Sequence, residues 1–231
     1  MTADDRQAKE LGPVESVELS VIVPCLNEEL NVPELGRRVL GAFDAGELAG
    51  ELVLVDDGSR DGTAQAIRAL MAAHPGRVTG AFHLQNRGVA AAWKSGAEAA
   101  RGRLVATIDA DLQYQPEDLL RLRRALHEHS VDVVQGYRST IGRAKDKRYH
   151  ISRAFNFMLN SAFGMDLEDN KSGMVMCARE VLLDLLSYEG NYFYWQSFIM
   201  VAAHAKGYSV KQVEALFEPR KAGQSYSTSR P

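Results

Sequence analysis

Short apolar runs alternate with amphipathic helical patterns from residue 19 to residue 135 of this 231-residue chain. Several of the runs are continuously apolar, as in strands of a parallel sheet that helices cover on both faces. The pattern therefore predicts an α/β fold with a Rossmann-like, mostly parallel sheet and helices on both faces. The predicted strands are 19–23, 52–55, 78–83, 104–108 and 131–135, and the predicted helices are 32–45, 63–73, 89–100 and one that Pro116 opens.

The two ends of this pattern set the expected domain bounds. Residues 1–17 are polar and aperiodic, so we expect a flexible lead-in with order beginning near Leu19. After Gly136 the sequence changes to a basic segment, a helix at 152–163, a turn-rich stretch at 166–173 and further mixed elements. Because no repeat and no proline-rich or glycine-rich linker interrupts it, we expect one domain over residues 18–231.

Composition argues against several classes of protein. The formal net charge of -3 and the pI of about 6.1 disfavour a protein that coats nucleic acid. Cys25 and Cys177 lie far apart with no signal peptide ahead of them, which disfavours a disulfide framework and favours the reducing cytoplasm. The longest apolar stretches, about ten residues, fall short of the roughly 20 that cross a bilayer. The six histidines show no metal-ligand spacing, so the sequence predicts none of them in a site.

Three acidic motifs directly follow predicted strands, at the sheet edge where ligands bind in open parallel sheets. In the last of them, Asp109 and Asp111 can both approach one hard divalent cation that also binds diphosphate oxygens. The alternative is one aspartate that caps the helix at Pro116 beside a solvated one, and the second motif is also good turn and capping chemistry. The motifs are Pro24-Cys25-Leu26-Asn27-Glu28-Glu29, Asp56-Asp57-Gly58-Ser59-Arg60-Asp61-Gly62-Thr63 and Asp109-Ala110-Asp111-Leu112-Gln113.

Taken in order, these motifs resemble those of the family-2 glycosyltransferases with the GT-A fold, above all the polyprenol-phosphate hexosyltransferases typified by dolichol-phosphate mannose and glucose synthases. The resemblance implies metal-dependent, inverting transfer of one hexose from a GDP- or UDP-linked sugar, with Mg²⁺ or Mn²⁺ as cofactor. The Gln-x-x-Arg-Trp motif of processive synthases is missing, which favours transfer of a single sugar. The other matching motifs are Asn86-Arg87-Gly88, Gly136-Tyr137-Arg138, Asp169-x-x-Ser172-Gly173 and Arg220-x-x-Gly223-x-Ser225.

The resemblance also implies a donor site and a metal site. Asp111 would be both a catalytic residue and a metal ligand, joined at the metal by Asp109 and Gln113. A surface glutamine is the ordinary interpretation of Gln113. The residues that would contact the donor are Pro24, Leu26, Glu28, Val55, Asp57, Asp109, Ala110 and Arg220.

Two further residues are implied to be catalytic. Arg138 would neutralise phosphate, because its planar guanidinium can hold two oxygens. Asp169 would serve as general base for a hydroxyl acceptor, whereas a phosphate acceptor is already anionic at pH 7 and needs no strong base. A solvated arginine and a turn-capping aspartate are the alternatives.

The sequence indicates the class of acceptor less clearly than the class of donor. Residues 138–153 carry six arginines and lysines against one aspartate, and such runs are usually solvated faces. Here the run coincides with the family's acceptor loop, which favours a polyprenyl phosphate and peripheral contact with the inner face of a membrane. The implied acceptor-binding residues are Arg143, Lys145, Lys147, Arg148 and Arg153.

Two departures from the family's pattern argue against a polyprenyl-phosphate acceptor. Tyr226 follows Ser225 where the mannose-synthase type has lysine, and the sequence stops at Pro231 without the membrane helices that some relatives carry. A hydroxyl on a soluble glycan or small metabolite is the alternative acceptor. A non-catalytic nucleotide-binding module is the alternative from another class, and the sequence makes no prediction of oligomeric state.

Overall fold

A computed structural model describes residues 17–138, 147–187 and 198–218, except for the side chains of Lys147 and Arg148. Seven strands and seven helices lie in these ranges. The strands are β1 (Leu19–Cys25), β2 (Gly50–Asp56), β3 (Val78–Phe82), β4 (Leu104–Thr107), β5 (Val133–Arg138), β6 (Val175–Ala178) and β7 (Val210–Ala215). The helices are α1 (Val32–Ala45), α2 (Thr63–Ala73), α3 (Val89–Ala99), α4 (Asp118–His129), α5 (Lys147–Phe163), α6 (Arg179–Leu185) and α7 (Ile199–Ala205).

The strands form one sheet in the order β3-β2-β1-β4-β6-β5-β7. All neighbours pair in parallel except β6, which is antiparallel to both β4 and β5. Cys25 of β1 pairs with Asp56 of β2, and Ile22 of β1 pairs with Thr107 of β4. The segments that follow these three adjacent strands therefore begin at one edge of the sheet. The predicted mostly parallel α/β architecture is confirmed.

Helices cover both faces of the sheet because successive strand residues point to opposite sides. In β2, Leu52 and Leu54 belong to the apolar cluster that includes residues of α1, α2 and α4, whereas Val53 and Val55 belong to the cluster that includes residues of α3, α6 and α7. These four side chains are fully buried, each contributing about 2 kcal/mol relative to exposure. The acidic motifs thus follow strands that two apolar layers hold in place.

The bounds of several elements differ from the predicted ones. Helix α5 begins at Lys147 rather than at 152, and β5 extends to Arg138 rather than ending at 135. The early start was missed because Ile151 and Phe157 of α5 are exposed, so the helix lacks the apolar period of a core helix. Within the described ranges, no helix combines the length and apolarity that crossing a bilayer requires.

Candidate active site

The turns that follow β1 and β2 are fastened to each other. The backbone N–H of Asn27 donates to Ser59 Oγ (3.0 Å), and Asn27 Oδ1 accepts from the N–H of Arg60 (2.8 Å). The N–H of Glu28 donates to Thr63 Oγ1 (2.8 Å). Asn27 has a left-handed φ of 56°, which asparagine tolerates better than most residues. The two turns therefore form one unit with a fixed shape.

Asp57 holds the segment that follows β3 in place. Its Oδ1 lies 2.6 Å from Nδ1 of His83 and accepts from the N–H of Arg87 (2.9 Å), while Oδ2 accepts from the N–H of Gly88 (2.9 Å). His83 Nε2 lies 2.9 Å from Ser95 Oγ on α3. A buried carboxylate with three partners fixes the loop beside the predicted donor pocket.

Sequence reasoning missed His83. A single histidine gives no ligand spacing, but it directly follows β3, as the acidic motifs directly follow their strands. That position, rather than residue type, is the signal that could have found it. Gly58 completes this corner, because its φ is +75° and an added Cβ would lie 2.4 Å from the backbone carbon of Gln85.

The loop after β4 carries the predicted metal ligands. Asp111 Oδ1 accepts from the N–H of Gln113 (3.1 Å), and its carboxylate is largely buried. Leu112 between them is buried with a left-handed φ of 59°, a conformation that costs about 1–3 kcal/mol and persists only where the surroundings enforce it. Gln113 is fixed in turn, since its Nε2 donates to the carbonyl of Glu218 (3.3 Å) and its carbonyl accepts from the N–H of Glu218 (2.8 Å).

This loop suits a hard divalent cation. Asp109 and Asp111 supply carboxylate oxygens, the ligand type that Mg²⁺ and Mn²⁺ prefer. In the part of the chain that the structure describes, no group of three or more histidine, cysteine, aspartate or glutamate side chains could hold a metal. Two carboxylates fill only part of the coordination shell of such a cation, and the oxygens of a bound diphosphate can supply further ligands.

The other predicted donor residues differ in accessibility. Pro24 near the end of β1 and Leu26 just after it are half-buried, and the Glu28 carboxylate accepts from Asn31 Nδ2 (2.6 Å). The side chain of Val55 lies fully within the core, and Ala110 is buried. Arg220 lies outside the described residues.

Arg138 and Asp169 form a two-bond ion pair. Arg138 Nε donates to Oδ2 at 2.6 Å and Nη2 to Oδ1 at 3.0 Å, and the side chains are 19% and 11% exposed. Burial alone would raise the pKa of Asp169, but the hydrogen bonds and charge of Arg138, followed by Lys171, hold that pKa below its ordinary value. The Asp169 carboxylate is therefore kept ionised and occupied.

The ion pair lies in the wall of a small pocket that is open to solvent and lined by polar side chains. Arg153, predicted to bind the acceptor, lies in the same wall. Arg143 and Lys145 are outside the described residues, and Lys147 and Arg148 lie in the first turn of α5, where their side chains are not described. The pocket is lined by Arg138, Tyr149, Ser152, Arg153, Asn156, Glu168 and Asp169.

The acidic loop lies against the segment that follows the pocket residue Asp169. Thr107 Oγ1 donates to the carbonyl of Gly173 (2.6 Å), and a Cβ at Gly173 would lie 3.4 Å from Asp109 Oδ1. The Tyr114 hydroxyl donates to Ser172 Oγ (2.7 Å), and burial raises the pKa of Tyr114. Among the described residues, the predicted donor residue Asp109 and the predicted catalytic residue Asp169 thus lie in segments that contact each other.

The sequence is similar to two curated enzymes. The dodecaprenyl-phosphate galacturonate synthase of Rhizobium johnstonii is 37% identical over 158 residues, which cover 68% of this chain and 46% of that protein. The undecaprenyl-phosphate 4-deoxy-4-formamido-L-arabinose transferase of Shewanella sediminis is 31% identical over 209 residues, which cover 90% of this chain and 61% of that protein. The chain therefore spans less than two thirds of the length of either relative.

The fold has solved counterparts. Glucosyl-3-phosphoglycerate synthase from Mycobacterium tuberculosis, in complex with Mn²⁺, UDP and glucosyl-3-phosphoglycerate, superposes with a TM-score of 0.66 at 18% identity, covering 95% of this chain and 77% of that one. At that identity the likeness shows the fold, which is the GT-A fold. Residues 20–186 match the family described as Glycosyl transferase family 2. By fold and by sequence, the chain belongs to glycosyl transferase family 2.

Proposed function

We propose that this chain transfers one hexose from a nucleotide diphosphate sugar to a polyprenyl phosphate, with inversion at the anomeric carbon. One observation carries the proposal: Asp109 of the acidic loop lies against Gly173, in the segment that also carries the pocket residue Asp169, and is close enough to interact with the charge of Arg138. Both curated relatives are named for a polyprenyl-phosphate acceptor, which supports the same assignment.

On the donor side, the chain's own residues bind and orient the nucleotide. The fastened turns after β1 and β2 would hold the nucleoside, and Asp57 would keep the 85–88 segment against it. Asp109, Asp111 and Gln113 are the residues that would hold Mg²⁺ or Mn²⁺, which when bound would stabilise the charge of the leaving nucleoside diphosphate. Arg220 stays a predicted donor contact.

On the acceptor side, the Arg138–Asp169 pair favours a phosphate over a hydroxyl. Asp169 is held ionised by Arg138 with a lowered pKa, so it is a weak base and its oxygens are occupied. A hydroxyl acceptor would need a base to remove its proton. A phosphate oxygen is already anionic at pH 7, so Arg138 and Arg153 need only hold it in line with the anomeric carbon.

Helix α5 supports a membrane-borne acceptor. It exposes several large apolar side chains, with Phe157 at 74% exposure, and its first turn begins in the basic segment. Apolar and cationic groups together on one helix suit the surface of an anionic bilayer. We therefore propose that the chain acts at the cytoplasmic face of a membrane, and Arg143, Lys145, Lys147 and Arg148 stay predicted acceptor-binding residues.

Lipid extraction after a reaction tests this function. Purified protein is incubated with labelled UDP- and GDP-sugars, Mn²⁺ or Mg²⁺, and polyprenyl phosphate in vesicles. We expect label in the organic phase, with Arg153→Gln lowering the rate at least about tenfold and exposed Arg124→Gln on α4 leaving it unchanged.

Two results would contradict the proposal. Label found only on water-soluble acceptors would favour the hydroxyl alternative. Nucleotide binding that needs no metal and leads to no turnover would favour a non-catalytic module.

A further inference from the structure

Three asparagines join helix α5 to the segment that carries Asp169. Asn156 and Asn160 lie one turn apart on α5, and Asn170 follows Asp169 directly. Asn156 Oδ1 accepts from the backbone N–H of Asn170 (2.7 Å) and from its Nδ2 (2.9 Å). Asn156 Nδ2 donates to the carbonyls of Leu167 (2.7 Å) and Glu168 (3.2 Å). Asn156 thus uses both ends of its amide on the same segment.

The other two asparagines fix the orientation of the cluster. Asn160 Nδ2 donates to the carbonyl of Leu167 (2.9 Å), so its Oδ1 is left to accept from Asn170 Nδ2 (2.9 Å). Asn170 must therefore present its amide nitrogen to both partners, since a flipped amide would face two acceptor oxygens. The network leaves one arrangement for all three side chains.

One polar atom of the cluster is left without a hydrogen bond. Asn170 is fully buried, and its Oδ1 has no hydrogen-bond partner among the described residues. A buried acceptor without a partner is destabilising, so three interlocked amides are a poor arrangement if stability were their only role. Because the cluster lies beside the pocket, holding the segment that carries Asp169 in place is a role that would account for it.

The opposite side of the segment is held as well. The N–H of Glu168 donates to Gln212 Oε1 (2.6 Å), and Gln212 Nε2 donates to the carbonyl of Asp169 (3.1 Å). The N–H of Lys171 donates to Asp169 Oδ1 (3.0 Å), the oxygen that also accepts from Arg138 Nη2. The segment is thus held between α5 and β7, with the Asp169 carboxylate directed at Arg138.

We infer that Asn156, supported by Asn160, is a positioning residue that fixes Asp169 and the pocket residues of α5 as one unit. Arg138 belongs to the sheet, whereas Tyr149 and Arg153 belong to α5, so acceptor geometry depends on how α5 sits against residues 167–170. The inference rests on the proposed function for the class of acceptor. It concerns acceptor transfer and not donor binding, because the donor turns make none of these contacts.

Kinetics of Asn156→Ala and Asn160→Ala test the inference, with Ser161→Ala on the exposed part of the same helix as control. We expect Asn156→Ala to lower kcat/KM for polyprenyl phosphate at least about tenfold, Asn160→Ala less, and Ser161→Ala not at all. The Kd for the nucleoside diphosphate with Mn²⁺ should stay within about twofold of wild type in all three. Parallel losses in donor and acceptor parameters, or unchanged acceptor kinetics, would overturn it.

Hydrogen exchange gives a readout that does not depend on activity. The amide of Lys171 donates to Asp169, so in Asn156→Ala it should exchange faster, whereas the amides of Arg87 and Gly88 at Asp57 should keep wild-type protection. Equal acceleration at both places would indicate general destabilisation and overturn the inference. If the wild-type protein does not use polyprenyl phosphate, the proposed function fails, and the exchange result alone decides the coupling.

Discussion

The proposed donor and acceptor sides of the site are held by different kinds of contact. On the donor side, backbone N–H groups donate to side chains such as Asp57 and Thr63, and β1 and β2 beneath them are almost entirely buried. On the acceptor side, an ion pair and side-chain amides hold the segment near Asp169. Two of these amides belong to α5, a helix that exposes Phe157. The donor side is therefore shaped by the fold itself, whereas the acceptor side depends on a few polar side chains.

Because the two sides are held by different contacts, we expect substitutions on one side to leave the other side's function largely intact. A change on the donor side should alter nucleotide binding, and a change on the acceptor side should alter transfer while nucleotide binding persists. The five predictions that follow bear on this difference between the two sides.

Asp111→Asn should have the largest effect. Removing one carboxylate charge from the acidic loop should lower transfer at least about 10³-fold, because stabilisation of the leaving group is lost. Thermal unfolding should change little, since the residue lies at a strand end outside the apolar clusters. Initial rates and melting curves check this, with exposed Glu98→Gln as control. Activity within a few fold of wild type would refute the metal assignment.

Asp169→Asn should come next, with transfer reduced about 10²-fold and nucleotide binding retained. Loss of the two charged hydrogen bonds should also destabilise the protein by about 2 kcal/mol at pH 7. Urea unfolding and acceptor kinetics measure the two effects. A loss of nucleotide affinity as large as the loss of transfer would contradict the separation.

The stability effect at Asp169 should depend on pH. Because the folded-state pKa of Asp169 is lowered, its stabilisation is complete above the unfolded value of about 4 and is lost as pH falls through the folded value. The difference in unfolding free energy between wild type and Asp169→Asn should therefore narrow below about pH 4. A difference that stays constant down to pH 3 would count against the ion pair.

Asp57→Ala should raise the donor KM about tenfold and change kcat at saturating donor much less, because the 85–88 loop loses its anchor. His83→Ala should also raise the donor KM, but by less, since only one of the three partners of Asp57 is removed. Exposed His129→Ala is the matched control. Equal donor KM in all variants would remove Asp57 from the donor side.

Phe157→Ser should have the smallest effect, a several-fold weaker partition onto anionic liposomes, because one exposed ring is lost from the face of α5. Raising the salt from low to physiological should weaken binding of wild type and variant alike, since the Debye length shrinks to about 8 Å. Sedimentation with vesicles measures both. Wild-type protein that ignores anionic liposomes at low salt would refute the membrane contact.

The strands beneath the proposed donor side were largely predictable from sequence, because continuous apolar runs mark β1, β2 and β4, and strand ends in a parallel sheet share an edge. The sequence did not predict β6, α6, α7 and β7 as separate elements, since each is too short to show a clear hydrophobic period. The antiparallel direction of β6 depends on pairing with both β4 and β5, which no local pattern encodes.

Side-chain contacts across the sequence were the least predictable part. Asn156 and Asn170 lie in different elements, and their hydrogen bonds follow from how α5 packs rather than from any motif. The same holds for Asp57 and His83, which meet because β2 and β3 are neighbours. Residue type predicted the charges of the site, whereas packing determined their partners.

Titration calorimetry of nucleoside diphosphate binding tests the central claim, that the acidic sheet edge binds the nucleotide through a divalent cation separately from the acceptor pocket. UDP and GDP are titrated into wild type, Asp111→Asn and Asp169→Asn, each with and without Mn²⁺. We predict that one of the nucleotides binds wild type and Asp169→Asn in a Mn²⁺-dependent manner, with much weaker binding to Asp111→Asn. Metal-independent binding of equal strength in all three proteins would contradict the account.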